Sequence, residues 1–134
     1  MAGLAVIYNK TEPVPVEEFS SFLDATARYK HVTTPSARAG EGHCLGAKID
    51  APCSLHRGII RHAQSNAWVL AAGTLIDPED LQINSRLERL LNDYTERGYS
   101  VLGRLDGQFA LAIYDPHREL LSIVSDPFGM IPIY

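Results

Sequence analysis

Apolar and polar residues alternate along this chain in two distinct periods. Residues 3–8, Gly-Leu-Ala-Val-Ile-Tyr, form an unbroken apolar run that Asn9-Lys10 ends, which predicts a strand covered on both faces. Beyond Pro13 and Pro15, Val16, Phe19, Leu23 and Ala27 recur at helical spacing while Glu17, Glu18, Asp24 and Arg28 fall elsewhere round the wheel. That spacing predicts an amphipathic helix over 16–30. Residues 33–42, rich in Thr, Pro, Ser and Gly, read as a loop, 43–49 as extended chain broken by Asp50-Ala51-Pro52, and 59–62 as a short strand. A second buried strand is expected over 67–76, and Asp77-Pro78-Glu79-Asp80 has the form of a helix start.

The strongest helix signal spans 85–97, where Leu87, Leu90, Leu91 and Tyr94 stand at i, i+3, i+4 and i+7 and Gly98 closes the element. Val101, Leu102 and Leu105 suggest one more helical turn. The period then changes to two. Phe109, Leu111 and Ile113 alternate with Ala110, Ala112 and Tyr114; residues 115–118, Asp-Pro-His-Arg, supply a turn, and 120–124 return. Both faces of this hairpin are apolar, so something must cover each. Helices placed between and after such strands predict a layered α+β domain.

With 134 residues there is room for one domain, 1–134, and not two. The 46% hydrophobic and 21% charged fractions are globular values, which sets disorder aside. The net charge of −4, with cations scattered singly, argues against nucleic-acid binding. No apolar run approaches the roughly 18 to 20 residues of a membrane span, and the start carries no secretory pattern, so no membrane association and a cytoplasmic location are expected. Cys44 and Cys53 read as thiols in a reducing compartment. Cys53-x-x-His56, near His43 and His62, is a single ligand pair where structural zinc uses two, and no metal is expected. His31 and His117 read as solvated or capping side chains. Neither a phosphate-cradling Gly loop nor a Gly-x-Ser-x-Gly elbow is present.

Residues 105–134 read Leu-Asp-Gly-Gln-Phe-Ala-Leu-Ala-Ile-Tyr-Asp-Pro-His-Arg-Glu-Leu-Leu-Ser-Ile-Val-Ser-Asp-Pro-Phe-Gly-Met-Ile-Pro-Ile-Tyr. This stretch resembles the hairpin of class II glutamine amidotransferase domains of the asparagine synthetase kind, with their Leu-x-Gly-x-Phe-Ala, Asp-x-x-Arg and Arg-Asp-x-x-Gly-x-x-Pro-Leu-Tyr segments. Met1-Ala2-Gly3-Leu4 is similar to the family's Met-Cys-Gly-Ile start, 42–50 to its Gly-His-x-Arg-Leu-Ser-Ile-Val-Asp strand, and 72–75 to its Asn-Gly-Glu-Ile segment. The resemblance implies a four-layer αββα N-terminal-nucleophile hydrolase-like sandwich of two antiparallel sheets.

It also implies a site whose working groups are missing. The nucleophilic Cys, whose own α-amine acts as base, falls at Ala2. The Arg that clamps the glutamine carboxylate falls at or next to Leu45; the oxyanion-holding Asn falls at Ala72, with Gly73 still able to present a backbone N–H; the Asp that receives the glutamine amino group falls near Asn84. Degenerate domains of this sort resemble those of the lactam-forming branch, the β-lactam synthetases and lasso-peptide macrolactam cyclases. The expectation is therefore a chain with no intact catalytic residues, serving as scaffold or substrate-docking part of an ATP-dependent amide- or lactam-forming synthetase. ATP and Mg would belong to an associated synthetase domain or subunit carrying Ser-Gly-Gly-x-Asp-Ser, and a peptide or amino acid would be the substrate. No cofactor is expected in this chain. Relatives run on through further strands, so a C-terminally truncated sheet, an exposed edge and homo-oligomerisation are expected. A stand-alone interaction module and a residual amidohydrolase of the same type remain as alternatives.

Overall fold

The computed structural model describes residues 3–26, 37–49, 58–76 and 82–131. They form two antiparallel sheets and two α-helices, an α+β arrangement as expected. One sheet contains β1 (Gly3–Tyr8), β2 (Ala37–Glu41) and β3 (Cys44–Ile49) in the order β1-β3-β2. The other contains β4 (Ile59–Arg61), β5 (Trp68–Ile76), β6 (Asp106–Asp115) and β7 (Leu120–Ser125) in sequence order. Helix α1 (Val16–Thr26) and helix α2 (Ile83–Arg97) complete the set, with a 3₁₀ helix, Gly98–Arg104, after α2.

The period-two pattern decides which side chains share a layer. On β1 and β3, Ala5, Ile7, Leu45 and Ala47 pack with Phe19 and Leu23 of α1. Their alternates Leu4, Val6, Tyr8 and Cys44 pack with Trp68, Leu70, Ala112 and Tyr114 of the second sheet. Val69, Ala71, Phe109, Leu111 and Ile113, on that sheet's other face, receive Leu87, Leu90, Leu91 and Tyr94 of α2. Each fully buried Leu or Phe in these layers contributes about 1.5–3 kcal/mol. The two sheets thus face each other across an apolar layer, and each carries a helix on its other side.

The approach of the sheets is close. A Cβ on Gly46 would lie 2.9 Å from Trp68 Cη2 and 2.5 Å from Leu70 Cδ1, so the absence of a side chain there lets these two residues pack onto β3 without shifting. Tyr8 stacks obliquely on Tyr114, with ring centroids 5.8 Å apart, and its hydroxyl donates to the Glu119 carbonyl at 2.6 Å. Tyr8 therefore marks the turn end of the second sheet.

Two expectations change. Residues 37–41 are a strand and not part of a loop: β2 pairs with β3 from Ala37↔Lys48 to Glu41↔Cys44, through a tight turn in which Gly42 takes φ 67°. Ala-Arg-Ala-Gly-Glu holds no β-branched or aromatic residue, so the ladder and not side-chain preference makes the strand. Helix α2 begins at Ile83, two residues early, and ends at Gly98, φ 67°, whose N–H donates to the Tyr94 carbonyl. Helix α1 is described to Thr26; the expected continuation over 27–30 and the helix start at 77–80 lie outside the described residues.

Candidate functional site

The site is built at the far end of β5 and β6 from Tyr8. Tyr8 meets Tyr114, and Val6 pairs with Gly46, which lies over Leu70. Stepping back along β1 toward Gly3 therefore runs toward Ala72 and Ala110. These two alanines pair directly, Ala72↔Ala110, and both are buried. Ala2 lies outside the described residues, as do Cys53, His56 and His31.

Gly73 holds φ 91°, and a Cβ there would run into the Gln108 carbonyl oxygen and Ile131 Cδ1. Gly107, φ 127°, faces Thr74 in the same crowded way. Both strands thus depend on glycine at this end, where the backbones close on one another. Ile131 is laid across Gly73 by the turn that follows β7. Asp126, buried, donates its N–H to the Phe109 carbonyl at 2.9 Å. Its carboxylate accepts the N–H of Phe128 at 2.9 Å and of Met130 at 3.1 Å, and its own carbonyl accepts from Gly129 at 3.0 Å. Burial pushes this carboxyl up, but the N–H groups of Met130 and Phe128 outweigh it and hold the group below its usual range. The Asp-Pro-Phe-Gly segment is therefore a fastened turn that joins β7 to the Ala72–Gly73 position.

The other expected positions separate from this point. Leu45 is buried on the α1 side of β3, against Phe19 and Leu23, and does not face the layer between the sheets. Its neighbours offer no alternative for a guanidinium: Cys44 is fully buried between the sheets, and Gly46 is closed by Trp68 and Leu70. Asn84 is exposed on the first turn of α2. Two residues on, Arg86 reaches back, and its Nη1 donates to the carbonyl of Leu75 near the end of β5. Sequence reading missed Arg86, whose only signal was its place in the same helical turn.

Elsewhere the chemistry is structural. Burial alone pushes the Cys44 thiol up to about 12, so it stays a protonated apolar group and no nucleophile. His43 Nδ1 lies 3.0 Å from the Asn9 carbonyl, and His62 Nδ1 lies 2.8 Å from Ser65 Oγ. Among the described residues no cluster of His, Cys, Asp or Glu could hold a metal ion, and no helix is long and apolar enough to cross a membrane. A concavity of about 430 Å³ lies between α2, the 3₁₀ helix and the end of β5. Among the described residues Arg86, Arg89, Asp93, Arg97 and Arg104 line it, and none of Ala72, Gly73 and Asn84 contributes to it.

Residues 74–134 match the model of a family described as a glutamine amidotransferase domain. Asparagine synthetase B [glutamine-hydrolyzing] of Escherichia coli (strain K12) is 38% identical over 58 residues, which are 43% of this chain and 10% of that protein. The match thus spans about a tenth of the curated relative's length. No solved structure matches the chain. Both matches support a glutamine amidotransferase domain similar to that of asparagine synthetase, and the family match takes in α2, β6, β7 and the Asp126 turn.

Proposed function

We propose that this chain is a non-catalytic glutamine amidotransferase-like domain, the scaffold or substrate-docking part of an ATP-dependent amide- or lactam-forming synthetase. The facing sheets, each backed by a helix, suit an N-terminal-nucleophile hydrolase-like layering. The observation that carries the reading is the inventory at the end of β5. Ala72 and Ala110 line its inner face, and Ile131 covers Gly73. A glutaminase needs a carboxylate to receive the substrate's ammonium group, and the position that the resemblance assigns to it carries Asn84, an uncharged amide on the first turn of α2. It also needs a carboxamide donor where Ala72 offers a methyl group.

Amide or lactam formation would then use an amine nucleophile from the substrate, with ATP and Mg bound by a synthetase domain or subunit. The purified chain is expected to release no ammonia from glutamine beyond a heat-killed control. Ala2→Cys alone is expected to leave that rate unchanged, because loss of one oxyanion donor costs about 2.7–4 kcal/mol of transition-state binding and the carboxylate clamp is absent too. Enzyme-dependent ammonia release by either protein would overturn the reading. The synthetase part is checked by the nucleotide sequence after the Tyr134 codon: an in-frame Ser-Gly-Gly-x-Asp-Ser supports it, and its absence from a complete gene and its neighbours favours an interaction module instead.

A further inference from the structure

The concavity between α2, the 3₁₀ helix and the end of β5, about 430 Å³ in volume, falls in the size range of small-molecule sites. Its described lining divides by chemistry. Leu75, Leu90 and Val101 are buried and form an apolar floor, and Ile76, the last residue of β5, lines the same space with 58% of its surface exposed. An aliphatic side chain left open beside a buried apolar floor is hydrocarbon in contact with water, which a guest with an apolar part would cover.

Among the described residues, the guanidinium groups of Arg86, Arg89, Arg97 and Arg104 line the concavity as well. Arg86 is held by the Leu75 carbonyl and Arg89 is engaged too, so the argument for a guest rests on neither. Arg97 and Arg104 differ. Both are exposed, Arg97 in the last turn of α2 and Arg104 at the end of the 3₁₀ helix, and among the described residues no ion pair or hydrogen bond occupies either guanidinium. Asp93, half-buried and one turn before Arg97, lines the same wall without forming an ion pair with it. A small anion alone gains little from two solvated cations, and a neutral chain alone leaves both cations unused. A ligand with both parts meets the floor with its chain and the guanidinium donors with its head.

We propose that this concavity binds a small anionic amphiphile, a carboxylate or phosphate head on a short apolar chain, with the head at Arg97 and Arg104 and the chain over Leu90, Val101 and Ile76. The δ-methyl signal of Ile76 in a carbon–proton correlation spectrum reports on the site directly. In chloride buffer at fixed ionic strength, sodium hexanoate should shift that signal and saturate in the millimolar range. Sodium acetate, which keeps the head, and hexan-1-ol, which keeps the chain, should each bind at least about tenfold more weakly, since each buried methylene is worth about fourfold in affinity. Hexyl phosphate beside hexanoate distinguishes the two heads, the tighter binder naming the source. Arg97→Gln combined with Arg104→Gln, both at exposed positions, should weaken the better amphiphile about tenfold and leave hexan-1-ol unchanged. The comparison of ligands on the wild-type chain decides the matter even where that variant fails to fold. The proposal is overturned if neither amphiphile gives a saturable shift, if acetate or hexan-1-ol binds as tightly as the better amphiphile, or if the folded double variant binds that amphiphile as tightly as wild type.

Discussion

Asp126 shows how one side chain can set the geometry of a site without entering its chemistry. Its carboxylate gathers the N–H groups of Phe128 and Met130, and the turn so formed lays Ile131 on Gly73. Those bonds favour the ionised form, so the folded group titrates below its ordinary value of 3.8. The stabilisation is therefore fully present above that ordinary value and is lost as pH falls through the lower, folded one. Asp126→Ala should lower the melting temperature at neutral pH. The gap between variant and wild type, followed by thermal melts down the acid range, should narrow as the wild-type carboxyl is protonated; a gap independent of pH would mean that the carboxylate charge contributes nothing. Only part of this was legible. Asp-Pro-x-Gly announces a turn by composition, but which backbone groups the carboxylate reaches depends on how β7 ends. Arg86 was less legible still, because its approach to Leu75 follows from the phase of α2 against the sheet, and exposed residues in a helix's first turn carry no sign of that phase.

Among the elements, the best-read are those whose apolar stripe is complete within one segment. The Leu87, Leu90, Leu91 and Tyr94 stripe placed α2, and the alternation after Gln108 placed β6, because burial follows period directly. β2 was missed because its existence depends on β3 beside it. Glycine placement makes the contrast between two close approaches testable. At Gly46 an added methyl group meets the far ends of the Leu70 and Trp68 side chains, which can give, and Gly46→Ala should cost about 1–3 kcal/mol. At Gly73 it meets the backbone of Gln108 at a positive φ, so Gly73→Ala adds about 1–2 kcal/mol of conformational cost to a clash that side-chain movement cannot relieve. Urea melts should therefore rank Gly73→Ala as the more destabilised; the reverse order would mean that the sheet-to-sheet contact, and not the β5–β6 pairing, is the rigid part.

For the whole molecule the consequence lies at the rim of the larger sheet. In the strand order β4-β5-β6-β7, β7 is terminal among the described residues, and its outer backbone groups face no further strand there. Water can satisfy those groups, but the apolar side chains beside them are another matter. Ile123 is 47% exposed on the face toward β1, and the Asp126 turn leaves Phe128 85% and Met130 58% exposed immediately after. An edge strand next to such a patch is a template for pairing with another chain, and a net charge of −4 is too small to prevent it. We therefore expect association through β7, by a second copy in the isolated chain and by the synthetase partner in the assembled protein. Light scattering at micromolar concentration should report more than 14.8 kDa. Ile123→Lys with Phe128→Ser should return the mass to that of one chain without lowering the melting temperature, since both side chains are largely exposed. A wild-type chain that is monomeric and melts cooperatively would show that 123–130 is covered by the chain's own residues, and the docking role proposed for this rim would fall with it.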